Sequence, residues 1–463
     1  MLNPAAAIEL ATEMFRKWEI ERKALDRIDL WYRWDQQPYK LPASATREMK
    51  ALEELSRTPW LGLVVTSTAQ LLYVDGWRSL AHEKAFPDRA TRPVPAPWET
   101  WQANDLDAKQ IPVHRAALAY GYSFATVLPG QDEDGGKDVA IRGVSPRRMF
   151  AAYRDPANDL WPEVAVHVER SGADFIVKLM DEEHAYYLSR PKASDRMTFI
   201  EPRVHGVGVV PVARFANQLD LEGRAPGEVE PYIPLARRIN KTDYDRLVAQ
   251  HFNSTVIRTV SGLTKPETDE LKNQRAIELG LGRLLVAEDP DTKFGSLPAT
   301  PLGDLIAAKA EDVKALSAAS QTPTHELTGV MINLSAEALA AAKAAQRAKV
   351  AERKRAFGST WGQVLRLAEH IKGDTEGARD FGAHVSWQDD ETASFSQAVD
   401  ALGKAAQMLG IPLEALWAKF PGATQSDVEE WKVLADNQAA NDPNTLLAQG
   451  LLRQSEPQPP SGD

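Results

Sequence analysis

The sequence predicts an α+β fold: an antiparallel β module set among helices, with one helix far longer than the others. Three observations carry this. Between 122 and 216, apolar residues recur with a period of two, in short runs separated by turns such as Gly130-Gln131-Asp132-Glu133-Asp134-Gly135-Gly136. On both sides of that region the period lengthens to that of amphipathic helices. From Ser335 to Lys372 there is no proline, so a helix of about 37 residues and roughly 55 Å can run unbroken, about three times the mean length in soluble domains.

The elements follow in order. Residues 5–34 read as a helix with Leu10, Met14, Trp18 and Ile20 on its apolar side, and 46–57 as a second. Pro59 opens a third at the favoured first-turn position, leading into a short strand at 73–78. A proline-rich arm covers 86–97, and 98–120 is helical, with Pro112 expected to kink or divide it. Gly121 stops that helix. Strands are predicted at 122–128, 139–142, 163–169, 174–180, 184–188 and 197–201. A polar connector, 217–230, leads to a helix at 232–252. A strand at 254–261, a helix at 266–279, a strand at 282–287 and a loop at 288–303 precede a helix at 302–320. After the long helix come a β-like piece at 384–387 and helices near 394–409, 413–419, 424–438 and 443–453. The tail, 454–463, has almost no apolar content and is expected to be disordered.

Composition narrows the function. With 463 residues the chain can hold two to four domains. The absence of cysteine excludes disulfides, thiolate metal sites and cysteine nucleophiles. No run of about eighteen apolar residues occurs, so no transmembrane helix is expected, and the N-terminus reads as an amphipathic helix, not a signal peptide. The net charge of −11 makes the chain a poor general DNA binder, although a surface along which DNA must slide should hold it weakly. Twelve tryptophans, crowded toward the N-terminal half, read as core and interface packing.

Several stretches invite a chemical reading and are better explained without one. Gly130 to Lys137 lacks the spacing of a phosphate-binding loop, is filled with acidic residues and lies between strands; it reads as a hairpin turn, and no ATPase activity is expected. Asp181-Glu182-Glu183-His184 has no second histidine at ligand spacing, so a solvated strand edge is preferred to a metal site. Asp389-Asp390-Glu391 reads as an acidic helix start, and Ser145-Pro146-Arg147-Arg148 as a turn with surface arginines. No catalytic residues, metal or cofactor are predicted.

The long helix holds the one notable basic run. Lys343, Arg347, Lys349, Arg353, Lys354 and Arg355 invert the local charge of an acidic chain, offset only by Glu352. A solvated face or salt bridges to acidic neighbours is the simpler reading; a face meeting nucleic acid or an acidic partner subunit is the functional one. Gly358 and Gly362 each cost about 1 kcal/mol relative to alanine in a helix interior, which implies close approach of another backbone or a kink. The alanine-rich first half and the Phe357, Trp361, Val364, Leu365, Ala368, Ile371 face of the second half suggest a helix that packs partly against copies of its own chain.

The order of these elements, with several stretches, resembles the portal proteins of tailed bacteriophages, most nearly those of long-tailed phages of actinobacteria. The stretches are Thr58-Pro59-Trp60 through Val74-Asp75-Gly76-Trp77-Arg78; Ala119-Tyr120-Gly121-Tyr122-Ser123-Phe124; Ser145-Pro146-Arg147-Arg148-Met149-Phe150 with Asp155-Pro156; Ile233-Pro234-Leu235 with Ile239-Asn240-Lys241; Pro323-Thr324-His325-Glu326-Leu327-Thr328-Gly329 with Asn333-Leu334-Ser335; and Val385-Ser386-Trp387-Gln388-Asp389. No single motif is very specific; order and spacing across roughly 55–440 carry the resemblance.

The resemblance implies a portal-type subunit in a ring of twelve around a DNA channel, a head–tail connector located in the virion and assembled in the host cytoplasm. Residues 1–230 would form the wing, 231–252 and 302–321 the paired stem helices, and 253–301 the clip. Residues 322–334 would be the tunnel loop, 335–373 the long wing helix, and 384–453 the crown. Implied partners are further copies of the chain, double-stranded DNA passing without sequence readout, the terminase large subunit that hydrolyses ATP, the major capsid and scaffolding proteins, and a head–tail adaptor. The DNA-facing candidates are Thr324, His325, Glu326, Thr328 and Asn333 of the tunnel loop, with stem charges Asp304, Lys309, Glu311, Asp312 and Lys314. Twelve copies at −11 give roughly −130 before counterions, a field that centres DNA and holds it weakly. A minor capsid or adaptor protein, or a soluble enzyme built on the β module, are the alternatives.

Overall fold

The computed structural model describes residues 1–36, 45–85, 93–130, 139–192, 196–253, 258–261, 293–296, 300–330, 336–388, 395–417 and 425–440, with a few single positions beside them. Its frame is two antiparallel sheets, a helical layer and the long helix. Helix Pro4–Tyr32 is capped by Asn3, whose side chain accepts from the Ala6 amide. It lays Ala7, Ala11, Met14, Phe15 and Trp18 against Val166, Val177, Leu179, Tyr186 and Leu188 of a five-stranded sheet. Helices Arg47–Leu55, Trp60–Ala69, Leu80–Ala85, Ala96–Ala103 and Leu106–Tyr120 follow, with strand β1 (Val74–Arg78) between the second and third of these.

The β module contains eight strands: β2 (Tyr122–Pro129), β3 (Val139–Val144), β4 (Met149–Ala152), β5 (Val164–Ser171), β6 (Asp174–Met180), β7 (His184–Arg190), β8 (Thr198–Val204) and β9 (Val212–Ala216). They form a three-stranded sheet, β3-β2-β9, and a five-stranded sheet, β4-β5-β6-β7-β8, with every pairing antiparallel. Strands β10 (Arg258–Ser261) and β11 (Lys293–Ser296) pair beyond helix Ile233–Asn253. Helix Gly303–Ser320, a short helix Thr324–Thr328 and the long helix Ala336–Lys372 come next. A short helix, Thr375–Ala378, leads to β12 (His384–Trp387), which pairs with β1. Helices Phe395–Leu409, Leu413–Trp417 and Gln425–Ala440 end the described chain.

Five expectations are corrected. Pro59 is the residue before the third helix, which begins at Trp60. The expected helix over 98–120 is two helices, and the division falls at Asn104 and Asp105, where Asp105 takes a left-handed φ of 56°; Pro112 is accommodated within the second. Strands β4 and β9 escape the period-two reading, because β4 has only four residues and β9 follows the continuous apolar run Val207 to Val212. The expected 288–303 loop contains β11. The expected tunnel loop begins with a helix, Thr324–Thr328. The expected helices at 266–279 and 443–453, the strand at 282–287, the acidic cluster at 389–391 and the tail lie outside the described residues.

The largest core is organised around the second half of the long helix, where Phe357, Trp361, Val364, Leu365 and Ala368 are fully or almost fully buried. They meet Trp98, Trp101, Val113, Phe215 and Val385 in one continuous cluster. Gly358 fits here because a Cβ would stand 3.3 Å from the Trp387 indole nitrogen and 3.4 Å from Val385: the close approach is to β12 of the same chain. Gly121, with φ +98°, ends helix Leu106–Tyr120 where any Cβ would collide with the Ala225 carbonyl at 1.8 Å.

Candidate functional site along the long helix

Three polar side chains on the first half of the long helix, Gln346, Lys349 and Arg353, interrupt its alanines and are buried. Their spacing of three and four residues puts them on one stripe. Together they reach the short helix, the end of helix Gly303–Ser320 and the 217–228 connector.

Gln346 meets the short helix. Its amide nitrogen donates to Glu326 Oε2 at 3.0 Å and to Ser67 Oγ at 2.7 Å, while the Ser67 hydroxyl donates to the same carboxylate. Lys343 stands 4.0 Å from Glu326. On the other side, Thr324 Oγ1 lies 2.8 Å from Ser317 Oγ at the end of helix Gly303–Ser320, and Thr328 Oγ1 donates back to the Thr324 carbonyl at 2.9 Å. His325 is half-buried and Thr324 and Thr328 are exposed. Asn333 lies outside the described residues.

Lys349 meets the same helix end. Its ammonium donates to the Ser320 carbonyl at 2.7 Å and sits 3.5 Å from Glu228. A cation at a helix C-terminus is favourable because the last carbonyls carry the negative end of the macrodipole. Desolvation by burial lowers the Lys349 pKa, and Glu228 opposes that shift. Arg353, completely buried, donates from Nε to Asn217 Oδ1 at 2.5 Å and stands 3.4 Å from Glu228. Its Nη1 lies 3.0 Å from the exposed Glu352 carboxylate but without hydrogen-bond alignment, so this contact is an ion pair only. Asn217 in turn donates to the Pro226 carbonyl at 2.9 Å. Tyr232, whose phenol donates to the Ala319 carbonyl at 3.0 Å, is pushed up to about 12 by burial and by Glu228.

The basic run is therefore not one exposed face. Lys349 and Arg353 are consumed inside the chain because Glu228, 121 and 125 residues away in sequence, is buried between them. Lys354 donates to the Gln388 carbonyl at 3.1 Å, and Lys343 is drawn to Glu326. Arg347 is half-buried and Arg355 is exposed.

The paired helices Ile233–Asn253 and Gly303–Ser320 are joined by crossed ion pairs. Lys309 lies 2.8 Å from the buried Asp243, which also takes Arg246 at 3.4 Å, and Arg238 lies 2.8 Å from Asp312. Lys314 is paired with Glu311 at 2.6 Å along its own helix, and Asp304 is exposed. Counting Lys and Arg against Asp and Glu over 233–253 and 303–320 gives six against five, so this pair of helices is close to neutral in a chain of net −11.

The remaining sequence candidates fall to structural roles. Arg147 pairs with Asp26 and Asp29 at 2.8 and 2.7 Å. Asp181 accepts from the Glu183 and His184 amides and the Tyr186 hydroxyl. No group of three or more possible metal ligands occurs among the described residues. No described helix is long and apolar enough to cross a membrane. Ser67, Asn217, Glu228 and Asp243 were not singled out by sequence. The only signal for the first three was the polar spacing of Gln346, Lys349 and Arg353 along an alanine helix, which tells that partners exist without naming them.

The described fold is thus a β module, an ion-paired helix couple and a long helix that ties the two together. Residues 15–442 match the family described as phage portal protein, SPP1 Gp6-like, and the chain belongs to that family. It is 26% identical over 421 residues to the portal protein of Mycobacterium phage L5, covering 87% of this chain and 82% of that protein. It is 25% identical over 421 residues to the portal protein of Mycobacterium phage D29, with the same coverage. Among solved structures it is similar to a chain from the neck of a native GTA particle computed with C12 symmetry, with a TM-score of 0.42 and 10% identity over 81% of this chain and 91% of that one. The chain is thus a structural protein of the phage head–tail connection, of a family that forms ring oligomers in the virion.

Proposed function

We propose that twelve copies of this chain form a ring at one capsid vertex, and that double-stranded DNA passes through its centre during packaging and ejection. The observation that carries this reading is the span of the family match, 15–442, which includes the β module, the helix pair and the long helix together. Residues 1–230 act as the wing, with the long helix over 335–373 crossing it. Residues 231–252 and 302–321 are the stem, 253–301 the clip, 322–334 the tunnel loop and 384–453 the crown.

The physics of the stem supports a passive conduit. Its cations are neutralised by local carboxylates, Lys309 and Arg246 by Asp243, Arg238 by Asp312, and Lys314 by Glu311. A wall of short-range ion pairs offers passing phosphates little net attraction, and affinity for the backbone scales with the number of uncompensated cations. Thr324, Thr328 and Asn333 are suited to touch the backbone without reading bases, and Glu326 anchors the short helix that carries the two threonines. The chain has no catalytic role in this reading; ATP hydrolysis belongs to a terminase large subunit docked on the clip. The head–tail adaptor later takes that place, and capsid and scaffolding proteins surround the wing. Assembly takes place in the host cytoplasm.

The test is a variant shortened within 322–334. Rings that assemble normally but package or retain less DNA are the expected outcome. Undiminished packaging by that variant would remove the loop from the DNA path.

A further inference from the structure

Beside Ser67 lies a cleft of about 440 Å³ lined by Leu63, Thr66, Gln70, Leu71, Glu326, Lys343, Gln346 and Arg347. Four of its polar groups are committed to one another. Glu326 Oε2 accepts from both Ser67 and Gln346, and Lys343 is drawn toward the same carboxylate. Arg347 is the charged group of the lining that is not: half-buried in the cleft wall, it makes no hydrogen bond or ion pair to any described residue. Next to the cleft the long helix carries a bare alanine surface, with Ala341, Ala342, Ala344, Ala345 and Ala348 all exposed.

We propose that this cleft receives a carboxylate side chain from a second copy of the chain, with Arg347 as its anchor. The inference rests on the ring reading above and says where on the subunit that ring is closed. A closed ring is built from heterologous contacts, in which a recess on one face of each subunit is filled by a different surface of the next. A guanidinium held in a partly dry recess is matched by a carboxylate, which it can grip through two parallel N–H donors. The chain has such partners to spare, with 65 acidic against 54 basic residues. Leu63 and Leu71 at the cleft, together with the alanine surface, favour protein as the occupant over a DNA phosphate. A phosphate gains nothing from apolar walls, whereas a second helix or loop buries them, and alanines let its backbone come close. Of the six cations in the basic run, Arg347 alone combines a recess with the absence of a partner among the described residues.

The experiment measures particle mass by light scattering at low micromolar protein for the unmodified chain, Arg347→Glu, Arg347→Ala and Arg16→Glu, with circular dichroism to verify folding. Arg16 is an exposed cation on helix Pro4–Tyr32 and controls for the change in net charge. The proposal predicts rings for the unmodified chain and Arg16→Glu. It predicts folded, ring-free protein for Arg347→Glu, and for Arg347→Ala a ring that needs at least tenfold more protein to form. If Arg347→Glu itself proves unfolded, Arg347→Ala decides alone. Rings of normal stability from both Arg347 variants overturn the proposal, and if those rings fail to retain DNA, the cleft meets phosphate instead. A monomeric unmodified chain would overturn the ring reading itself, a failure distinct from that of Arg347.

Discussion

The indole N–H of Trp361 donates to His114 Nε2 at 2.8 Å, in the middle of the core. That bond fixes the tautomer: Nε2 accepts, so Nδ1 carries the proton and donates to the Leu72 carbonyl at 3.0 Å. Phe357 stacks on the imidazole at 5.2 Å. One neutral ring thereby joins helix Leu106–Tyr120, the segment before β1 and the long helix. Burial holds the His114 pKa down at about 4.

This arrangement predicts acid sensitivity. A histidine whose folded pKa lies below its unfolded value leaves the unfolded chain with more bound protons between the two. Stability from this site is complete above pH 6.5 and declines as the pH falls from about 6.5 to about 4. The full loss is roughly 3 kcal/mol. Thermal unfolding at pH 7 and pH 5 reads it directly. His114→Gln should be less stable than the unmodified chain at pH 7, with a smaller further drop on acidification.

Glu228 predicts an asymmetry between its partners. Removing its charge with Glu228→Gln strands two buried cations, and breaking a buried pair in this way costs about 3–5 kcal/mol. Lys349→Met leaves Glu228 with Arg353 and should cost less. Chemical denaturation that ranks Lys349→Met as the more damaging change would reject this account of the stripe.

The short helix predicts a local effect. Ser67→Ala and Glu326→Ala each remove part of the link to Gln346, worth about 1 kcal/mol per neutral hydrogen bond and more for a charged one. Amide exchange in 324–330 should accelerate several-fold in both, while the core amides of the long helix stay protected. Uniform acceleration throughout the chain would mean that the contact supports global stability instead.

Between the paired helices, Asp243→Asn should loosen the couple by about 2 kcal/mol, the scale of a charged hydrogen bond, because the partly exposed Lys309 and Arg246 lose their shared carboxylate. A double change, Asp243→Asn with Lys309→Met, should recover part of that loss. No recovery in such a cycle would mean that the two residues do not act as a pair.

How far the sequence revealed the fold depended on how local each determinant was. The long helix was legible to its last residue, since proline absence and apolar spacing are contained in the segment itself. The break at Asp105 was not, because it rests on a left-handed backbone that proline counting does not detect; Pro112 was the louder but misleading signal. Lys349 and Arg353 were visible as charges, read as a solvated face or as salt-bridged to acidic neighbours; the second holds, but Glu228, more than a hundred residues away, could not be named as the partner. His114 carried no signal at all: a lone histidine among apolar residues reads as packing until Trp361 and Leu72 are brought to it. Arg347 was hidden among its neighbours until the structure gave Lys343, Lys349, Arg353 and Lys354 their partners and left Arg355 on the surface.

The central claim is that this chain forms a channelled ring, and electron microscopy of the purified protein tests it most directly. Class averages should show closed rings of twelve subunits with a central hole wide enough for duplex DNA. Uniform single-subunit particles across protein and salt concentrations would contradict it.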